Sequence, residues 1–216
     1  PKALAALMSM EGFRNLNSEI ETIINKSEEV KKAKKEGLDG KSKNEKKDVF
    51  YMKSNFHIRF AQENDVPIIL SMIRALACYE KMSPLVTATE SLLHESLFMK
   101  KQAEVLLGFE DDVPVGFALY FYNFSTFLGH ANLYLEDLYV DESYRKKGYG
   151  KALLIRLAEI AIENGCQRLD WSCLKWNQPS IDFYHSLNAI NMSEWMLFRL
   201  KDQDLVRLAQ TNKKDE

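Results

Sequence analysis

The stretch Tyr134–Lys151, YLEDLYVDESYRKKGYGK, constrains this chain more than any other. It starts as a strand, on which strict alternation puts Leu133, Leu135, Asp137 and Tyr139 on one face and Tyr134, Glu136, Leu138 and Val140 on the other. It turns at Asp141-Glu142-Ser143 into a basic loop, Arg145-Lys146-Lys147-Gly148-Tyr149-Gly150. A helix is predicted next, from Lys151 to Glu163, because Leu153, Leu154, Leu157, Ile160 and Ala161 recur at helical spacing. Gly148 and Gly150 let the backbone turn tightly with its N–H groups directed inward. The positive end of the following helix reinforces them, so the amides of residues 146–151 make an anion site suited to a pyrophosphate.

The side chains around the loop narrow the choice of guest. A nucleotide-triphosphate loop needs glycine where this chain has Arg145, and Ser or Thr where it has Ala152. A dinucleotide fingerprint needs a third small residue where Leu153 stands. What remains is Arg-x-x-Gly-x-Gly, Arg145 to Gly150.

The rest of the chain reads as one domain preceded by an extension. Residues 1–55 hold 12 basic and 9 acidic side chains, and residues 56–216 hold 17 and 22, so the part with globular patterning is the acidic part. That balance argues against nucleic acid as its partner and favours a cationic substrate. In the extension, Phe13, Leu16, Ile20, Ile23 and Ile24 are spaced for an amphipathic helix, and the lysine-rich tract from Glu28 to Lys53 reads as a solvated linker. The three cysteines and four histidines lack ligand spacing, so no metal is expected. No apolar run reaches the roughly 18 residues of a membrane span, and no secretory signal is visible. A cytoplasmic protein with no membrane partner is the expectation.

From Phe56 onward the elements follow in order. Phe56–Phe60 alternates as a strand, and Asn64 or Asp65 is placed to cap a helix that carries Pro67 in its first turn and ends near Glu80. A second helix is predicted from Thr89 to Met99. Strands over Glu104–Glu110 and Val113–Phe124 meet at an Asp111-Asp112 turn, ahead of the strand through Leu133. Beyond the loop and its helix, Gly165 is a candidate helix cap, Arg168–Leu174 a strand, and Ser180–Leu187 a helix. Met192–Leu200 is predicted as a last strand and Asp202–Gln210 as a closing helix. The order is that of an α+β fold with a mixed, mainly antiparallel sheet flanked by helices.

Four segments carry a specific likeness: Ala77-Cys78-Tyr79-Glu80, Leu133 to Val140 (LYLEDLYV), Tyr144 to Gly150, and Trp176 to Tyr184 (WNQPSIDFY). Together they resemble the diamine branch of the GNAT superfamily of N-acetyltransferases, which holds spermidine/spermine and thialysine acetyltransferases. The likeness runs from Phe56 to about Ala209, and one departure is Asn188-Ala189, where the branch commonly has Gly-Ala.

The resemblance implies a GNAT fold, acetyl-CoA as co-substrate, a small cationic amine as acceptor and a homodimer. It implies that Arg145, Lys146, Lys147, Gly148, Tyr149, Gly150 and Lys151 hold the pyrophosphate. Leu138, Tyr139 and Val140 would pair with the pantetheine arm, and Asn177 and Ser180 would bind the co-substrate from the other side. Tyr184 is the candidate general acid, with an ordinary amphipathic-helix tyrosine as the other reading. Glu136 is the candidate to hold and deprotonate the amine, against a salt-bridged structural carboxylate. Tyr79 and Glu80 are carried over as substrate contacts, and Asp137 receives no role. The acceptor is a polyamine or diamine, or a thialysine or lysine side chain; a non-catalytic binding module is the reading from another class.

Overall fold

The computed structural model describes residues 51–53 and 55–211. The amphipathic helix and most of the lysine-rich tract expected in the extension lie outside these residues. The elements are β1 (Tyr51–Lys53), β2 (Phe56–Phe60), α1 (Val66–Tyr79), α2 (Glu90–His94), β3 (Glu104–Glu110), β4 (Val113–Ser125), β5 (His130–Val140), α3 (Tyr149–Glu163), β6 (Leu169–Trp171), α4 (Gln178–His185) and α5 (Asp202–Gln210). The strands form one six-stranded sheet in sequence order. Every neighbouring pair is antiparallel except β5 and β6, which run parallel. The sheet starts earlier than Phe56, because β1 pairs with β2 through Tyr51↔Ile58.

The sheet is covered on both faces. On one face α3 lays Leu153, Leu157 and Ile160 against Ile58, Leu106, Tyr120, Leu133 and Leu135. On the other, Ile69 and Met72 of α1 pack with Leu97 against Val105, Leu107 and Phe117. These side chains are nearly all withdrawn from water, and each such burial stabilises by about 1.5–3 kcal/mol. Gly116 on β4 permits a close approach, since a Cβ there would stand 2.8 Å from the Tyr139 carbonyl oxygen.

Several local expectations are corrected. Asp65 precedes α1, but its carboxylate grips Arg59 at 2.6 and 2.9 Å and accepts the Gln62 N–H at 2.7 Å, so it does not cap that helix with its side chain. The second helix is a short α segment, capped by the Thr89 hydroxyl, that widens into a π turn over Glu95–Met99. β6 is shorter than Arg168–Leu174. The predicted last strand is absent: residues 192–200 run outside the sheet, with Trp195, Met196, Leu197 and Phe198 each more than 70% exposed. Their run of unbroken apolar residues lacks the polar alternation that gives a strand one inner face. Gly165 (φ +71°) and Asn188 (φ +61°) do close α3 and α4 in the left-handed conformation, so Asn serves where glycine is common.

The largest correction lies in β5. Leu119 pairs with Asp137 and Tyr120 with Leu135, so Glu136 is the extra residue of a β-bulge. Alternation breaks there. Leu133, Leu135, Leu138 and Val140 all pack on the α3 side, whereas Tyr139 packs on the α1 side and shares that side with Asp137. The bulge comes directly after the last β5–β6 pair, Leu135↔Trp171. Beyond it, β5 continues along β4 alone and β6 diverges.

Candidate active site

The loop after β5 makes one 3-10 turn over Glu142–Tyr144, braced by the Asp141 carboxylate on the Ser143 N–H at 2.9 Å. It enters α3 through two left-handed residues, Lys146 at φ +65° and Gly148 at φ +90°. Glycine takes that geometry without a Cβ clash. The helix begins at Tyr149, two residues before the expected start, so Gly150 sits inside its first turn. The amides of Tyr149, Gly150 and Lys151 are first-turn donors with no intrahelical acceptor. They lie at the positive end of a fifteen-residue helix next to Lys146, an arrangement that fits a pyrophosphate.

Two basic side chains of the loop already have partners. Lys147 Nζ stands 2.8 Å from both carboxylate oxygens of Glu110, at the end of β3. The Tyr149 hydroxyl donates to the same carboxylate, and its ring stacks on Phe56 with centroids 3.9 Å apart. The lysine and this hydroxyl hold the Glu110 carboxyl below its usual range. Arg145 donates from Nε to the Val140 carbonyl at 3.0 Å and lays its guanidinium 4.6 Å above the Tyr79 ring. Glu110 anchors the loop, and sequence reading missed it because it lies far away along the chain.

The other wall comes from α1 and from the segment between β6 and α4. Asn177 is buried, and its side-chain oxygen accepts both the Ser180 N–H, as the cap of α4, and the Tyr79 hydroxyl at 2.9 Å. The Tyr79 ring also meets the Trp176 ring at 5.8 Å. Tyr79, from the end of α1, thus ties that helix to the start of α4, with Arg145 beneath it.

Between these walls the titratable groups act on one another. Burial, followed by the neighbouring carboxylates of Glu136 and Glu80, pushes Asp137 up to about 6. Burial raises Glu80 as well. Tyr184 packs against Trp171 at 5.1 Å, and burial, then Cys173, Glu80 and Tyr79, pushes its phenol up to about 12. A phenol in that range stays protonated at neutral pH and is a proton donor. Burial and then Glu80 also raise the Cys173 thiol.

The structure therefore brings Tyr79, Glu80, Asn177 and Tyr184 together at the mouth where β5 and β6 part. Leu138, Tyr139 and Val140 form the stretch of β5 beyond that parting, and Ser180 stands in the first turn of α4. Glu136 is exposed at the bulge. Its neighbour Asp137 is the more enclosed carboxyl, and sequence reading gave it no part; its signal was an acid with Leu135 and Tyr139 two residues away on either side along a strand. Among the described residues no cluster of His, Cys, Asp and Glu suits a metal ion, and no helix is long and apolar enough to cross a membrane.

Comparison with known proteins supplies the family. Residues 70–189 match the model of the acetyltransferase (GNAT) family. The chain is 37% identical over 164 residues to a thialysine N-epsilon-acetyltransferase of Bos taurus, covering 70% of this chain and 96% of that one. It is 34% identical over 165 residues to a human spermidine/spermine N(1)-acetyltransferase-like protein, covering 71% of this chain and 24% of that one. An integron cassette protein from the V. cholerae mobile metagenome superposes with a TM-score of 0.62 at 28% identity, over 73% of this chain and 99% of that one.

Proposed function

The chain belongs to the acetyltransferase (GNAT) family, and from that premise we propose that it acetylates a terminal primary amine of a small aliphatic diamine or polyamine, such as spermidine or spermine, by direct transfer in a ternary complex. The observation that carries this reading is the meeting of two carboxyls, Glu80 and Asp137, with the Tyr184 phenol at the parting of β5 and β6. Carboxyls attract and orient an ammonium, and a neutral phenol protonates a leaving group. A thialysine or lysine side chain is the second reading, favoured by the likeness to the bovine thialysine enzyme.

Bound acetyl-CoA supplies the thioester and its acetyl group. The amides at the start of α3, with Arg145, Lys146 and Lys147 around them, hold its pyrophosphate, and Leu138–Val140 offer a strand edge to its pantetheine arm. Asn177 and Ser180 bind from the opposite wall. Glu136 accepts the amine proton through water, Tyr79 and Glu80 position the amine, and Tyr184 Oη delivers a proton to the departing sulfur. The domain begins with β1 at Tyr51, and residues 1–50 precede it along the chain. The chain works in the cytoplasm as a homodimer, for which the exposed apolar residues Trp195–Phe198 and the exposed Leu205 and Leu208 of α5 offer a surface.

Acetyl-CoA turnover on spermidine, spermine, putrescine, thialysine and lysine under one set of conditions tests this reading. Turnover on any of them rules out a binding module without catalysis. Silence on all of them overturns acetyl transfer to small amines.

A further inference from the structure

We infer that Lys81 is a specificity residue that binds the carboxylate of an amino-acid acceptor at the rim of the site, and so selects diamino acids over diamines of the same length. This rests on the acetyl-transfer reading above and takes the second of its two acceptor classes, the side-chain amine of an amino acid.

Two independent features single Lys81 out. The first is its backbone. Lys81 closes α1 at φ +60°, with its own N–H on the Cys78 carbonyl at 3.1 Å and the Met82 N–H on the Ala77 carbonyl at 2.7 Å. That double closure normally falls to glycine, because a side chain crowds the left-handed conformation. A long cationic residue is the less stable choice at this position.

The second is where its charge goes. Lys81 follows Glu80 directly, and its ammonium lies 6.0 Å over the ring of Trp176, the residue before Asn177. Among the described residues it makes no ion pair. An aromatic face positions an ammonium without neutralising it. The charge therefore remains available to an anion at the outer end of the wall built by Tyr79 and Trp176.

The two ends of the site then have opposite signs. Inside stand Glu80 and Asp137, suited to the reacting ammonium; at the rim stands Lys81. A diamino acid, with a terminal ammonium at one end and a carboxylate at the other, matches that polarity. A diamine of the same length brings its second cation to that rim with no carboxylate beside it to offset the charge of Lys81, which adds discrimination.

The test compares acceptors that differ only in the carboxylate: ornithine with putrescine, and lysine with cadaverine. The full chain is measured as wild type and as Lys81→Arg, Lys81→Gly and Lys81→Glu. Glycine suits the left-handed backbone, so Lys81→Gly removes the charge without endangering the fold. The wild type should favour the amino acid in each pair by kcat/KM, and Lys81→Arg should keep that preference. Lys81→Gly should reduce the preference about fivefold through KM, the scale of one exposed charge pair. Lys81→Glu should reverse it. Ornithine binding, read without turnover from the indole emission that Trp176 contributes, should weaken in Lys81→Gly in the same proportion.

A wild type that favours diamines in both pairs overturns the assignment while leaving acetyl transfer intact. So does a preference that is equal in wild type, Lys81→Gly and Lys81→Glu. No turnover with any of the four amines overturns the assignment, and only silence on spermidine, spermine and thialysine as well overturns its parent reading.

Discussion

The hydroxyl of Tyr79, at the end of α1, donates a 2.9 Å hydrogen bond to the side-chain oxygen of Asn177, 98 residues further along the chain. One phenol thus links the helix that supplies Glu80 to the helix that supplies Tyr184. Tyr79→Phe should lower stability by about 1 kcal/mol, the worth of one neutral hydrogen bond, and raise KM for the amine severalfold. Thermal unfolding and steady-state kinetics check the two effects separately.

Tyr184→Phe removes a proton donor and little else, since the ring keeps its packing against Trp171. Its kcat should fall about a hundredfold, with acetyl-CoA affinity unchanged. In the wild type the phenol, raised to about 12, should leave no alkaline fall in kcat below about pH 10. Calorimetric titration and a pH–rate profile decide both points.

Asp137 gives a pH prediction with a definite sign. Its folded pKa of about 6 lies above the unfolded value, so the folded state holds the proton more tightly than the unfolded chain does. Ionisation of Asp137 therefore reduces stability: not at all below about pH 4, progressively up to about pH 6, and fully above it. Asp137→Asn should be more stable than wild type by roughly 2 kcal/mol at pH 8 and indistinguishable from it at pH 3.5, while losing affinity for the amine. Denaturant melts at the two pH values read this out.

Glu110→Gln breaks the anchor shared by Lys147 and Tyr149 at the base of the loop. KM for acetyl-CoA should rise severalfold with little change in kcat, because Glu110 touches the loop and not the carboxyls beside Tyr184. A change confined to kcat would contradict this.

Gly148→Ala forces a Cβ into a backbone at φ +90°. It should destabilise the protein by about 1–2 kcal/mol and weaken acetyl-CoA binding about tenfold by moving the first amides of α3. Equilibrium binding of coenzyme A checks the second part.

Much of this was legible in the residues themselves. The helical spacing of α1 and α3, the Asp111-Asp112 turn and the loop ahead of α3 follow from periodicity and turn chemistry, which are local. The bulge at Glu136 was not legible, because a single extra residue leaves no mark until the partner strand fixes the register. Met192–Leu200 misled because it has strand-like composition without strand-like alternation. Glu110, and the closeness of Asp137 to Glu80, were hidden for another reason: they depend on elements distant in sequence meeting at the end of the sheet. Lys81 was passed over because one lysine after a helix is ordinary until its φ is known.

The surplus residue in β5 has a consequence for how far form and activity can be parted. Excise Glu136 and the ladder with β4 becomes regular, with Leu138 and Val140 still inward beneath α3 and Asp137 still opposite Leu119. The packing on both faces of the sheet is kept. What disappears is the bend that steers β5 away from β6, and with it the opening itself. A single peptide unit thus separates a working cleft from a sheet zipped shut.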